Sequence, residues 1–282
     1  MICLKNGWIL VATNKTTITI NPIKKGQWQL NFNGKTKPIS AHRFVQLMGW
    51  ETYVSKSELL LDFFDLKITT PNIRMDLGNA MERTILDYEY KDDVYIHFEM
   101  TKENRGNIID PDCKDDVNGI PDAIVVTRGS IGEVKCTTSN DPSCKQSWYK
   151  QAQFYAYYWN KYLSESTDLS IDHIEILRYY VPDSMISYQI ANRDTLVLDN
   201  YCKFVFELDD EIEADILNAK EKKKELIDGG MKISSRNNRL LWQIAMGVLN
   251  KKVKLKYDKD NKDCIEFVNI INDIVKEERK KN

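Results

Sequence analysis

The sequence is poor in residues that staple a fold or bind soft metals. Its six cysteines stand at positions 3, 113, 136, 144, 202 and 264, with the nearest pair eight residues apart and no CxxC. That spacing suits neither a zinc ribbon nor a disulfide framework, and it offers an iron–sulfur cluster no ligand set. With 12 glycines and 7 prolines in 282 residues, collagen-like and low-complexity readings fall away. No apolar run approaches the ~18 residues of a membrane span. The opening Met1-Ile2-Cys3-Leu4-Lys5 lacks the apolar stretch of a secretory signal. The expectation is a reduced, cytoplasmic protein with no membrane partner.

What is present is an ordinary globular composition, 42% hydrophobic and 29% charged, enough for one large domain or two small ones. The net charge of −2 hides a pattern. Residues 1–77 carry a balance of +5, residues 78–210 one of −11 and residues 211–282 one of +4. Basic ends around an acidic middle suit a polyanion-binding protein whose centre collects cations.

Short strands are expected at Trp8–Ala12, Thr17–Ile20 and Trp28–Phe32, with turns at Asn14-Lys15, Asn21-Pro22 and Asn33-Gly34. Helices follow over Ser40–Met48, stopped by Gly49, then Ser57–Leu66 and Gly78–Tyr90. Val94–Met100, Ile120–Thr127 and Gly132–Thr137 read as strands, and the Asn104–Gly119 loop with its Asp110, Asp112, Asp115 and Asp116 reads as solvated. Gln146–Leu163 is a long aromatic helix. Ile171–Val181 and Ser187–Asn192 read as strands, Asp194–Asp228 as helices and Asn237–Lys280 as helical and lysine-rich. The organisation is an N-terminal β extension (1–37), a core (38–218) and a basic helical C-terminal extension (219–282). The class is α/β, a central mixed sheet flanked by helices.

Chemistry concentrates on the hairpin joined at Arg128-Gly129-Ser130. Side chains alternate along a strand, so Glu133 and Lys135 point the same way, about 6.6 Å apart. The bend at Pro121 can bring Asp122 beside Glu133. Two adjacent carboxylates repel unless a cation neutralises them. Oxygen ligands without His or Cys favour magnesium or manganese over zinc. Lys135 then serves either as a structural ion pair or as the charge that orients a water and steadies a phosphoryl group. Glu82 shares a helix face with Ile85 and Leu86, where a carboxylate needs a partner. Gln151 shares one with Trp148 and Tyr155, and Gln153 points elsewhere.

The set Glu82, Asp122, Glu133, Lys135 and Gln151 resembles the PD-(D/E)XK (restriction-endonuclease-like) nuclease core. Within that superfamily it is most similar to the lambda-exonuclease/YqaJ-type viral recombinase family. The matching text is Gly-x-x-x-Glu at 78–82, Gly119-Ile-Pro-Asp-Ala-Ile-Val-Val, Glu133-Val-Lys-Cys and Trp148-Tyr-Lys-Gln-Ala-Gln. A weaker match, Ile39-Ser40-Ala41-His42-Arg43-Phe44 to Gly49, resembles the family's DNA-phosphate-contacting helix, with His42 where that family has serine. The likeness covers roughly residues 38–218. It implies two Mg2+ ions, or Mn2+ as substitute, held by Glu82, Asp122, Glu133 and the Val134 carbonyl. Lys135 would steer the attacking water and Gln151 would support that water or a phosphate, while Ser40, His42, Arg43 and Gln153 would contact DNA. It also implies an exonuclease acting on double-stranded DNA ends, a ring-forming homo-oligomer and a single-strand annealing protein as partner. Two other classes fit the same residues: a site-specific endonuclease of restriction type, and a non-catalytic DNA-binding module.

Overall fold

Alternation of buried and exposed side chains sets the strands. In the computed structural model, residues 15–70, 72–98, 107–110 and 114–281 are described, so the expected strand Trp8–Ala12, residues 99–106 and Asp112 lie outside them. The elements run β1 (Thr16–Lys24), β2 (Gln27–Asn33), β3 (Ile39–Ser40), α1 (Ala41–Met48), α2 (Lys56–Phe63), α3 (Ile73–Glu89), β4 (Tyr95–His97), β5 (Val117–Asn118), β6 (Ala123–Val125) and β7 (Ser130–Thr137). They continue as α4 (Gln146–Tyr162), α5 (Ser164–Thr167), β8 (His173–Tyr180), α6 (Ile186–Ala191), β9 (Tyr201–Glu207), α7 (Ile212–Gly229), β10 (Met231–Ser234), α8 (Asn238–Leu249), β11 (Val253–Lys256) and α9 (Lys262–Lys281).

The chain divides into two units, and the cut falls inside α7. One unit takes residues up to 37, 54–68 and those from 223 onward; the other takes 38–53 and 69–222. Residues 54–68, drawn from inside the expected core span, therefore group with the chain ends.

In the first unit the sheet order is β10-β2-β1-β11, with β1 and β11 parallel and the other pairs antiparallel. Ile18, Ile20, Trp28, Leu30 and Phe32 occupy alternate positions and turn to one face. There they meet Leu60 and Leu61 of α2, Leu241 and Ile244 of α8, and Phe267 and Ile271 of α9. The rings of Trp28 and Phe267 meet edge to face at 5.1 Å, and Trp28 Nε1 donates to the Asp263 carbonyl at 2.7 Å. The hairpin turns at Lys25-Gly26, where Gly26 takes a φ of 69°, and not at Asn21-Pro22, which lies inside β1. The C-terminal extension is correspondingly not helical throughout: it supplies both edge strands.

The second unit carries a five-stranded sheet, β4-β6-β7-β8-β9, in which only β7 and β8 run parallel among its described pairs. Parallel neighbours need a crossover, and α4 lies in that connection. Leu77, Met81 and Ile85 of α3 recur every four residues and pack on Ala123, Val125, Val134 and Leu177. Ala152, Ala156 and Trp159 of α4 pack on Ile124, Ile131, Ile174 and Ile176. Odd and even strand positions thus go to different helical layers, and the expected helix-flanked mixed sheet is present.

Four expectations are corrected here. Residues Ser187–Asn192 form α6 rather than a strand, and β9 occupies part of the expected helical run Asp194–Asp228. The third helix starts at Ile73, five residues before Gly78, because Asn72 caps it by accepting from Arg74 N at 2.9 Å. The acidic loop is not simply solvated. Asp110 is fully buried and accepts from the backbone N–H groups of Lys114 and Asp115 at 2.8 and 2.9 Å. Asp115 in turn meets Lys161 at 2.6 Å and Lys220 at 3.1 Å.

Candidate active site

Strand β7 sends Glu133 and Lys135 toward the α4 layer, and α4 sets Gln151 above them. Lys135 Nζ donates to Glu133 Oε1 at 2.6 Å and to Gln151 Oε1 at 2.8 Å. Asp122, one residue before β6, accepts from Val134 N–H through Oδ2 at 2.8 Å, which fixes its carboxylate against β7. Glu133 is 3% exposed, and its Oε2 has no hydrogen-bond partner among the described residues. A buried carboxylate oxygen left in this way is costly.

Electrostatics bind the group together. Burial, then the charges of Glu133 and Glu82, raise the Asp122 carboxyl well above the usual carboxylate range. Burial works against the Lys135 ammonium, but Glu133 and Asp122 outweigh it and hold its pKa above the usual lysine value. Cys136 faces the α3 layer, and its thiol is pushed up to about 12 by burial first and then by Glu82 and Asp122.

Glu82 approaches from the α3 layer. Its Oε1 is held by His97 Nε2 of β4 at 2.8 Å. Among the described residues, no three acidic, histidine or cysteine side chains are drawn into a finished metal cage. The donors nonetheless fit a hard divalent cation: an orphaned buried oxygen on Glu133, a mutually repelling Asp122, and carboxylates with a backbone carbonyl as the set. His97 engages one of the two oxygens of Glu82, and the charge of Glu82 already acts on Asp122.

Helix α1 packs on α4 through Phe44 and Phe154, their rings 5.1 Å apart. Ser40 caps α1 by accepting from Arg43 N at 3.3 Å, and Arg43 Nη1 donates to the Pro38 carbonyl at 3.1 Å. His42 lies 2.6 Å from Gln46 Nε2, and its Nδ1 lies 3.3 Å from Glu51 Oε2. Glu51 is one of the charges that raise Lys135, so α1 adjoins the carboxylate group through it. Gln153 does not: it is 1% exposed, its Nε2 donates to the Glu207 carbonyl at 2.7 Å, and its Oε1 accepts from Asp209 N–H at 3.0 Å. Both ends of its amide clamp the chain at the end of β9 and just beyond it.

Sequence reasoning passed over His97 and Glu51, and placed Tyr155 beside Gln151 without giving it a role. A lone histidine on a three-residue strand carries no signal. Tyr155, four residues after Gln151 on one helix face, does carry one. Burial, then Glu133 and Asp122, raise its hydroxyl pKa well above the usual tyrosine value. Gly119 makes room for it, since a Cβ there would sit 2.5 Å from Tyr155 Cε1.

No family model and no curated protein matches the chain. Among solved structures it is similar to a phage-related exonuclease from Haemophilus somnus 129PT, with a TM-score of 0.47 and 15% identity over 68% of this chain and 94% of that one. It is also similar to LHK-Exo in complex with dAMP, with a TM-score of 0.41 and 18% identity over 67% and 87% of the two chains. A third similar structure is the alkaline exonuclease LHK-Exo from Laribacter hongkongensis, with a TM-score of 0.41 and 16% identity over 68% and 91%.

Proposed function

We propose that this chain is a metal-dependent DNA nuclease that hydrolyses phosphodiester bonds, acting as an exonuclease on double-stranded ends. The observation that carries the reading is Lys135 bridging Glu133 and Gln151 while Glu133 Oε2 is left without a partner beside a repelling Asp122. Asp122, Glu133, the Val134 carbonyl and Glu82 would hold Mg2+ or Mn2+. Such an ion supplies Lewis acidity to the phosphoryl group and lowers the pKa of water.

The protein's own groups do the rest. An ammonium has three donors, and two of those on Lys135 are committed to Glu133 and Gln151. The third is left for a water or a phosphoryl oxygen. Because its pKa is raised, Lys135 supplies charge and no base. Gln151 holds the ammonium in place by accepting from it. Action on ends, a ring-forming oligomer and a single-strand annealing partner belong to the same reading and rest on the motif resemblance.

The test is incubation with Mg2+ of end-labelled linear duplex and of closed circular duplex. Progressive loss of the linear substrate alone is expected, with none in excess chelator. Discrete fragments would instead identify a site-specific endonuclease, and binding without cleavage in any metal would identify a non-catalytic DNA module.

A further inference from the structure

The sheet of β10, β2, β1 and β11 buries one face on its helices and leaves the other polar. In a chain with 42 acidic and 40 basic residues, not one of these four strands carries an Asp or Glu. Register arranges the outward residues in rows: Asn31, Thr19 and Lys256 lie side by side, and Gln29 lies beside Lys232. Lys232, Lys254, Lys256 and Asn31 are exposed.

The sheet order places Lys232 on one edge strand and Lys254 and Lys256 on the other. Three strand spacings separate the edges, about 14 Å, and the two lysines of β11 stand about 6.6 Å apart along their strand. Between them lie only amides and hydroxyls, the side chains that bond phosphates and base edges without carrying charge. The spacing between the edges is comparable to the ~12 Å width of a major groove with a phosphate strand on either side. Single-stranded nucleic acid would need aromatic platforms for stacking, and the aromatic residues of these strands, Trp28 and Phe32, face the core.

We infer that this acid-free sheet face docks on duplex DNA, its amide and hydroxyl centre toward a groove and its edge lysines on the flanking phosphates. The inference rests on reading the chain as a protein that acts on DNA, and it assigns the grip on the duplex to a surface other than the carboxylate site.

The experiment is fluorescence anisotropy of the full chain with a duplex closed by hairpin loops at both ends, in chelator, across a salt series. Neither cleavage nor free ends then contribute. Removing three phosphate contacts in K232Q/K254Q/K256Q is expected to lower the slope of log K against log salt by about 2 to 3. Affinity should fall on the order of 10²- to 10³-fold at 0.1 M salt, with thermal stability unchanged because all three side chains are exposed. Thr19→Glu, which sets a carboxylate in the middle of the face, should weaken binding comparably. The variant K262Q/K276Q/K280Q, removing equal charge from α9, should bind as wild type.

An unchanged slope in the sheet variant, an equal loss in the α9 variant, or tighter binding of single-stranded DNA, RNA or an acidic polypeptide than of duplex each overturns the inference. A protein that never cleaves yet loses duplex binding with the three lysines would end the nuclease reading and keep the face. One that cleaves linear DNA while the sheet variant binds and cleaves as wild type would do the reverse.

Discussion

Lys135 takes one oxygen of Glu133 at 2.6 Å and leaves the other buried, with no hydrogen-bond partner among the described residues. The pair is thus half neutralised. A second cation completes it where a second lysine would not, since a metal can share Asp122 as well.

Asp122 has a backbone duty besides its charge, because it accepts from Val134 N–H. Asp122→Asn keeps an acceptor there and removes the repulsion, so without metal its stability should equal or exceed wild type, and cleavage should vanish. Asp122→Ala orphans that N–H and should cost about 1–3 kcal/mol. Urea unfolding of both variants beside a cleavage assay checks this. A large loss of stability in the asparagine variant would mean that the charge itself holds the fold.

Burial, Glu133 and Glu82 raise the folded-state pKa of Asp122 above its unfolded value of about 3.9. A carboxyl shifted upward stabilises the fold fully below the unfolded value, and that contribution is lost as pH rises through the folded value. Metal-free wild type should therefore lose Tm relative to Asp122→Asn as pH increases. Mg2+ should restore it and release a proton on binding. Parallel Tm curves for the two proteins across pH, with and without Mg2+, would refute the shift.

Lys135→Ala should retain metal binding and lose on the order of 10²–10³ in rate, as when one preorganised donor is removed. Lys135→Arg should not restore the rate, because a planar fork favours a bidentate grip on Glu133 over a shared contact with Gln151 and water. Single-turnover cleavage and calorimetric Mg2+ titration separate the outcomes. Wild-type rate in the arginine variant would reduce Lys135 to a counter-charge, and lost metal binding in the alanine variant would make it a tuner of the carboxylates.

Gln153→Ala should unfold more easily, by roughly 1–3 kcal/mol for each buried backbone group it orphans, while DNA affinity per folded molecule stays unchanged. Denaturation and anisotropy on one preparation settle it. A variant of full stability with weakened DNA binding would return Gln153 to the DNA interface.

The carboxylate–lysine group was readable because strand alternation alone decides that Glu133 and Lys135 share a face. Turn chemistry at Arg128-Gly129-Ser130 then sets Asp122 across from them. What could not be read depends on layers. That Glu82 meets His97 while its charge also acts on Asp122 is decided by how α3 crosses the sheet, which no local pattern records. The segment Ser187–Asn192 misled for a simpler reason: Ile186, Tyr188 and Ile190 alternate as a strand would, but α6 packs on α3 through Ile186 and Ile190. The reverse error at Tyr201–Glu207 came from missing a pairing with β8. Likewise, four residues at each of β10 and β11 are too few to signal strands without their partners β2 and β1.

The α4 crossover between β7 and β8 also acts as a ruler. It delivers Gln151 to Lys135 only at one axial setting. A slip of one turn, about 5.4 Å, would present Ser147 or Tyr155 in its place. The length of the connection at 138–145 is consequently a dimension of the site itself: a residue added there must be absorbed within the loop, or the amide that steadies the ammonium is carried out of reach while every carboxylate stays where it was.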